Sequence, residues 1–74
     1  MNEEREYLKR MRIELSDLTT KRDKAFEFVY GPKSEGKLNA AQRYLLQKQI
    51  DAMSEYASIL NARIAIEEGK ANHV

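Results

Sequence analysis

The sequence contains no cysteine, and only three glycines and one proline are found among its 74 residues. Without cysteine, neither a disulfide nor a thiolate metal site can hold the chain together. Because glycine and proline are the residues that most often interrupt helices, their scarcity leaves room for long, continuous helices. No hydrophobic run approaches the roughly 18 apolar residues of a membrane span, and the amino-terminal MNEEREYLKR lacks the apolar centre of a signal peptide. We therefore expect a cytoplasmic protein without a membrane partner.

Neither sign of charge dominates the chain. Thirteen Lys and Arg residues stand against twelve Asp and Glu residues, which gives a formal net charge of +1. A protein that neutralises duplex phosphates needs a strong basic excess, so duplex nucleic acid is not an expected partner. A local basic pocket for a small anion is still allowed. The length permits one domain, near the lower size limit for a self-sufficient core, and such chains often gain burial by oligomerising.

The hydrophobic pattern predicts a first helix over about residues 2–30. One apolar seam follows alternating steps of three and four along it. Gly31 and Pro32 predict its end, because glycine accepts the left-handed conformation at a helix terminus and proline cannot continue the helix. A loop over residues 31–38 follows. The seam of this first helix consists of Leu8, Met11, Leu15, Leu18, Arg22, Ala25 and Val29.

A second helix is predicted over about residues 39–68. Asn39 and Gln42 have the spacing of a capping box at its start, and Gly69 is expected to end it, with a tail over residues 69–74. Two seams run side by side along this helix. The first consists of Leu46, Ile50, Met53, Ala57, Leu60 and Ile64, and the second of Leu45, Gln49, Ala52, Tyr56, Ile59, Arg63 and Ile66.

Two long helices joined by a short loop predict an all-α fold, an antiparallel two-helix hairpin forming a single domain. The first helix can cover only one of the two seams of the second. A lone hairpin would therefore leave the other seam exposed, which favours self-association. We expect a homo-oligomeric helical bundle with the second helices near its centre. The expected interface residues are Leu45, Tyr56, Ile59, Arg63 and Ile66.

The stretch GPKSEGKL, residues 31–38, fits the phosphate-binding pattern G-x-x-x-x-G-K. That pattern requires a strand before the loop and Ser or Thr after the lysine. Here a helix precedes the loop, and Leu38 occupies the Ser/Thr position. The sequence therefore argues against nucleotide hydrolysis at this loop.

A weaker anion site is still predicted at the start of the second helix. Lys33, Lys37 and Arg43 surround an end where free amides and the helix dipole favour an anion. Tyr30 and Tyr44 flank these cations and are candidates for stacking on a base. The alternative is that the lysines are solvated turn residues and the tyrosines cap one end of the bundle. Glu35 lies in the same loop, and its carboxylate would repel an anion.

Two seams each contain one arginine, Arg22 in the first helix and Arg63 in the second. A desolvated guanidinium that faces an oligomer cavity is a good phosphate ligand, and Arg22 is counted as a candidate. The alternative is a structural role in which each head group reaches solvent or pairs across an interface and fixes register.

Catalytic and metal-binding patterns are not found. His73 is the single histidine, and no Ser-His-Asp, Cys-His or spaced carboxylate pair can be assembled. We therefore expect neither an enzyme nor a cofactor or metal.

The order of features resembles short proteins encoded by bacteriophages, including crAss-like phages. The resemblance is carried by YLKRM at residues 7–11, LNAAQ at 38–42 and LLQKQIDAMSEYASILNARIAI at 45–66. In size, hairpin architecture and expected oligomerisation the chain is also similar to phage anti-defence sponges. That similarity implies a non-catalytic protein that sequesters a nucleotide immune messenger, such as a cyclic oligonucleotide, in the host bacterial cytoplasm. The alternative is a protein-interaction module whose second helix docks its apolar face on a host or phage protein.

Overall fold

The computed structural model describes residues 2–72, and side chains are described over residues 6–69. Two helices, α1 (Asn2–Tyr30) and α2 (Ala40–Asn72), flank a short 3₁₀ turn at Pro32–Ser34. The helices pack antiparallel in a rod measuring 56 × 15 × 15 Å. No strand occurs over residues 2–72. The expected all-α helical hairpin is confirmed.

The core is a single layer of side chains between the two helices. Leu8 and Met11 of α1 pack with Leu60 and Ile64 of α2, and Leu15 lies against this cluster. Nearer the loop, the buried apolar residues are Val29, Ile50 and Ala57. All of these residues belong to the seam predicted for α1 or to the first seam predicted for α2, which we call the inner seam (residues 46, 50, 53, 57, 60 and 64).

The start of α2 is fixed by the predicted capping box. The backbone amide of Gln42 donates to Oδ1 of Asn39 at 2.8 Å, and the amide of Asn39 donates to Oε1 of Gln42 at 2.9 Å. Each side chain thus satisfies an amide that has no partner within the helix. The prediction placed the start of the second helix at Asn39, and α2 begins one residue later, at Ala40, with Asn39 as its cap.

The end of α1 lies after Tyr30 as expected, but the predicted role of Gly31 is wrong. Gly31 has φ −96° and ψ 171°, an extended conformation rather than a left-handed one. Glycine is needed because a Cβ atom at this position would overlap the carbonyl oxygen of Glu27. Pro32 opens the 3₁₀ turn, where the missing amide costs little. The left-handed glycine is Gly36, with φ 74°.

The predicted end of α2 near Glu68 is also wrong, because the helix continues through Gly69 to Asn72. A glycine in a helix costs about 1 kcal/mol relative to alanine, which is a small penalty for an established helix. Glu68 forms an ion pair with Arg12 of α1, which holds the preceding turn against its neighbour. The predicted tail over residues 69–74 is therefore wrong for residues 69–72, and His73 lies outside the described residues.

Replacing Gly31 with alanine is expected to lower the free energy of unfolding by about 1–3 kcal/mol, because the new methyl group forces the backbone away from Glu27. The matched Gly69→Ala variant meets nothing within 4 Å. It should raise the free energy of unfolding by up to about 1 kcal/mol, since alanine is the better helix former. Urea unfolding at one fixed protein concentration, followed by circular dichroism, measures both changes. A shift of the same sign and size in the two variants would contradict the close approach at Gly31.

Candidate functional site

An open cleft of about 640 Å³ lies at the carboxyl end of α1, where the chain enters the loop. Its volume falls in the range of about 300–1,000 Å³ that is typical of small-molecule sites. The last two turns of α1 form one wall, and the 3₁₀ turn forms the other. We call it the loop cleft. Its lining residues are Lys24, Phe26, Glu27, Phe28, Tyr30, Gly31, Pro32 and Lys33.

Three aromatic rings belong to the loop cleft. Phe26 and Tyr30 are four residues apart on one face of α1, and their ring centroids are 4.6 Å apart at an interplanar angle of 47°. Both rings are exposed, whereas Phe28 is half-buried. Exposed rings at the mouth of a cleft provide flat surfaces on which a nucleobase can stack.

The charged groups of the cleft are two lysines and one carboxylate. Lys24 and Lys33 carry ammonium groups, and over the described part of the chain neither forms an ion pair. Such groups are compact charges that suit phosphate oxygens. Glu27 repels an anion at its own position but accepts hydrogen bonds, so it suits an amino or hydroxyl group of a ligand. The cleft therefore suits a ligand that carries negative charge and a ring with hydrogen-bond donors.

The structure brings together two of the residues predicted to bind a ligand, Tyr30 and Lys33. Lys37 lies in the turn beyond the cleft, and its amide donates to the carbonyl of Ser34 at 3.0 Å. Tyr44 is exposed near the start of α2, and Nζ of Lys48 lies 5.6 Å from its ring centroid. These two residues do not line the loop cleft.

The remaining candidate cations are engaged within the chain. The half-buried Arg22 forms an ion pair with the adjacent Asp23 at 3.3 Å. Arg43 donates from its guanidinium to the backbone carbonyl of Val29, across the hairpin. At the start of α2, the capping box already uses the amide of Gln42. The structure thus gives Arg43 a structural role at the end of α1.

Ser34 also forms hydrogen bonds at this end of α1. Its side chain is buried, and its Oγ lies 3.3 Å from the carbonyl oxygens of Val29 and Gly31. Carbonyls in the last turn of a helix have no intrahelical donor. The Val29 carbonyl receives two side-chain donors instead, one from Ser34 and one from Arg43. These contacts hold the 3₁₀ turn in the position that shapes the loop cleft.

Five residues of this region were not predicted from the sequence: Lys24, Phe26, Glu27, Phe28 and Ser34. The available signal was FEFVY at residues 26–30, which places three aromatic residues within five positions. The spacing of Lys24 and Phe28, four residues apart on α1, was a second signal. Ser34 had no comparable signal, because its burial depends on how the turn packs.

The second seam predicted for α2 stays exposed on the single chain. We call it the outer seam (residues 45, 49, 52, 56, 59, 63 and 66). Leu45 is 65% exposed, Ile66 60% and Ile59 53%. Arg63 donates to the hydroxyl of Tyr7 at 2.6 Å and lies 6.0 Å from the centre of its ring. This exposure is what we expect of a lone hairpin. The role of the outer seam as an oligomer interface stays a prediction.

Within the described residues, no three His, Cys, Asp or Glu side chains are grouped so that they could hold a metal ion. Neither helix, over the described residues, has an apolar segment of the length and hydropathy needed to cross a bilayer.

The fold defines a small helical-hairpin protein with an open cleft at its loop end. The sequence matches the Sequestin family over residues 5–66, and the chain belongs to this family. The matched region contains the complete loop cleft and the outer seam. No curated protein and no solved structure matches the chain. The family name denotes sequestering of a molecule, which fits the sponge-like role that the resemblance implies.

Because Ser34 and Arg43 donate to the same carbonyl, Ser34→Ala and Arg43→Met should each lower the free energy of unfolding by about 1 kcal/mol. The double variant should lose more than the sum, because the Val29 carbonyl then lacks both side-chain donors. Urea unfolding of the four proteins gives the coupling energy. Arg12→Met, which removes the exposed pair with Glu68, is the control and should cost less than about 1 kcal/mol. If the losses in the free energy of unfolding are strictly additive, the two donors act independently of each other.

Proposed function

We propose that the protein is a non-catalytic sponge that binds a nucleotide immune messenger, a cyclic oligonucleotide or a related signal, in a phage-infected bacterial cell. The loop cleft is the observation that carries the proposal, because stacking surfaces and ammonium groups lie together in it. The family name supports the coarser statement that a molecule is sequestered. The anti-defence role is the one that the resemblance implies, and these two observations support it.

In this mechanism, a base stacks on Tyr30 or Phe26 while phosphate oxygens meet Lys33 and Lys24. Stacking of a base on an aromatic side chain contributes about 1–3 kcal/mol. Glu27 accepts a hydrogen bond from an amino group of the base. Because the cleft is open on one side, a cyclic molecule larger than the cleft can bind with part of its ring in solvent.

Sequestration requires stoichiometric binding and slow release but no turnover. The bound messenger leaves the free pool, and one chain removes one molecule if each copy provides one cleft. No metal, cofactor or catalytic base takes part. The protein acts as a homo-oligomer in this proposal, since the exposed outer seam offers each copy an apolar surface for another.

A second candidate function is supported by the same outer seam. In that case the chain is an inhibitor that docks α2 on a host or phage protein, in the manner of an amphipathic helix in a groove. A stable monomer at micromolar concentration in light scattering would favour this function. A tight homo-oligomer would argue against it, because the seam would already be covered.

The sponge function is tested by calorimetry, with a separate titration of the protein against each member of a ligand panel. The panel contains cyclic dinucleotides, cyclic trinucleotides and cyclised adenine dinucleotides. We expect heat of binding for one class of ligand and recovery of the intact ligand after heat denaturation. No binding to any member of the panel would contradict the proposal. A chemically altered ligand after recovery would contradict its non-catalytic part.

Within the ligand class that binds, Lys24→Gln and Lys33→Gln should each weaken the affinity about tenfold, a loss of about 1.4 kcal/mol. Tyr30→Ala should weaken it by up to about 100-fold, because a stacked base loses its platform. Lys9→Gln removes the same charge from α1 about 22 Å from Lys24 at the helical rise and should leave the affinity unchanged.

The same titration decides between the loop cleft and the site predicted at the start of α2. Tyr44→Ala and Lys37→Gln should bind like the unmodified protein if the loop cleft holds the ligand. A large loss in these two variants, with Lys24→Gln unaffected, would place the ligand at α2 instead.

A further inference from the structure

The outer seam has the spacing of a coiled-coil interface. Its positions, residues 45, 49, 52, 56, 59, 63 and 66, alternate strictly between steps of four and three. This repeat keeps one stripe of a helix facing a second helix over its whole length. Leu45 and Leu46 are adjacent in sequence and therefore about 100° apart around α2. A helix packed on the outer seam would thus lie beside α2 without displacing α1.

The seam also matches itself when it is read backwards about Tyr56. Leu45 then faces Ile66, so that an apolar residue meets an apolar residue at each end. The two polar positions face each other, Gln49 with Arg63. The remaining pair combines the small Ala52 with the large Ile59, and Tyr56 meets its own copy. The self-matching pairs are therefore 45 with 66, 49 with 63, 52 with 59, and 56 with 56.

We propose that two copies of the chain dock through their outer seams with their α2 helices antiparallel, about a twofold axis at Tyr56. Tyr56 lies sixteen residues from Ala40 and sixteen from Asn72, the two ends of α2. The axis at the centre of the seam is therefore also at the centre of the helix, and the two rods overlap along their full length. Each α1 lies on the outside of the pair.

Polar groups in the seam select this orientation. In the antiparallel pair, the Arg63 guanidinium of one copy donates to the side-chain oxygen of Gln49 in the other. Arginine has five N–H donors, so the bond to the Tyr7 hydroxyl leaves others for this contact. A parallel pair would place Arg63 against Arg63 at a partly desolvated position, where like charges repel. It would also place Ala52 against Ala52 and leave a gap.

The surface area of the chain is large enough for such an interface. The accessible surface is 5949 Å² for a chain of 8.6 kDa. A compact monomer of that mass has about 4,700 Å², so the rod exposes about 1,200 Å² more. A stable interface needs about 800 Å² per partner. The large apolar residues of the outer seam, including Leu45, Ile59 and Ile66, are among the exposed ones.

Two substitutions at one position test the orientation. Gln49→Glu places a carboxylate against Arg63 of the other copy twice per dimer, and it should tighten the dimer about tenfold. Gln49→Lys places an ammonium group there and should weaken it by a similar factor. In a parallel dimer each substitution would face its own copy, and both would weaken association. Sedimentation equilibrium measures the dissociation constants of the two variants and of the unmodified protein.

Ser58→Glu and Ser58→Lys are the matched controls, because Ser58 is exposed on α2 away from both seams. They should leave the dissociation constant unchanged, and circular dichroism checks that all four variants keep their helices. A monomer at micromolar concentration would overturn the proposal. Equal responses to Gln49→Glu and Gln49→Lys would overturn it as well.

The interface deepens the homo-oligomer of the proposed function, but its test uses no ligand. Loss of the dimer with messenger binding intact would refute only the interface. A dimer with the expected response to Gln49→Glu that binds no nucleotide would refute only the sponge. Capture of the seam by an unrelated protein, with no self-association, would refute the second copy as its occupant.

Discussion

The structure depends on one packing constraint: α2 carries two apolar seams, whereas the hairpin supplies it with a single neighbour. α1 covers the inner seam, and this layer forms the core that contains Leu60 and Ile64. The outer seam is left at the surface, where large apolar groups such as Leu45 are exposed. Apolar surface of this extent is costly for a small rod in water. The outer seam is therefore the surface on which we propose that a second copy docks.

The loop cleft depends on a different constraint, the way α1 ends. Gly31 comes so close to the Glu27 carbonyl that no side chain fits, and the Val29 carbonyl is held by Ser34 and Arg43. These contacts set the direction of the 3₁₀ turn and so bring Lys33 beside the rings of α1. Arg43, which the sequence predicts as a candidate phosphate ligand, contacts the end of α1 next to the wall of the loop cleft.

Features that depend on local spacing could be predicted from the sequence. The inner seam, the Asn39–Gln42 capping box and the end of α1 follow from helical period and from the chemistry of helix termini. Features that depend on distance in space were missed or misread. Glycine is required at position 31 because of a carbonyl one turn away, and Arg43 contacts Val29 across the hairpin. Gly69 lies inside α2, which continues past it to Asn72. The cleft itself required the turn to be placed before Lys24 and Lys33 could be seen together.

Because the loop lies at one end of a 56 Å rod, its position determines whether ligand binding at one cleft would affect binding at the cleft of a second copy. In an antiparallel pair, the two clefts lie at opposite tips of the assembly. That separation exceeds the electrostatic screening length of about 8 Å at physiological ionic strength several times over. Charge on one bound molecule would not be felt at the other tip, so the occupancy curve would be hyperbolic, with a Hill coefficient near unity. Buffering capacity would then rise in direct proportion to the number of chains made.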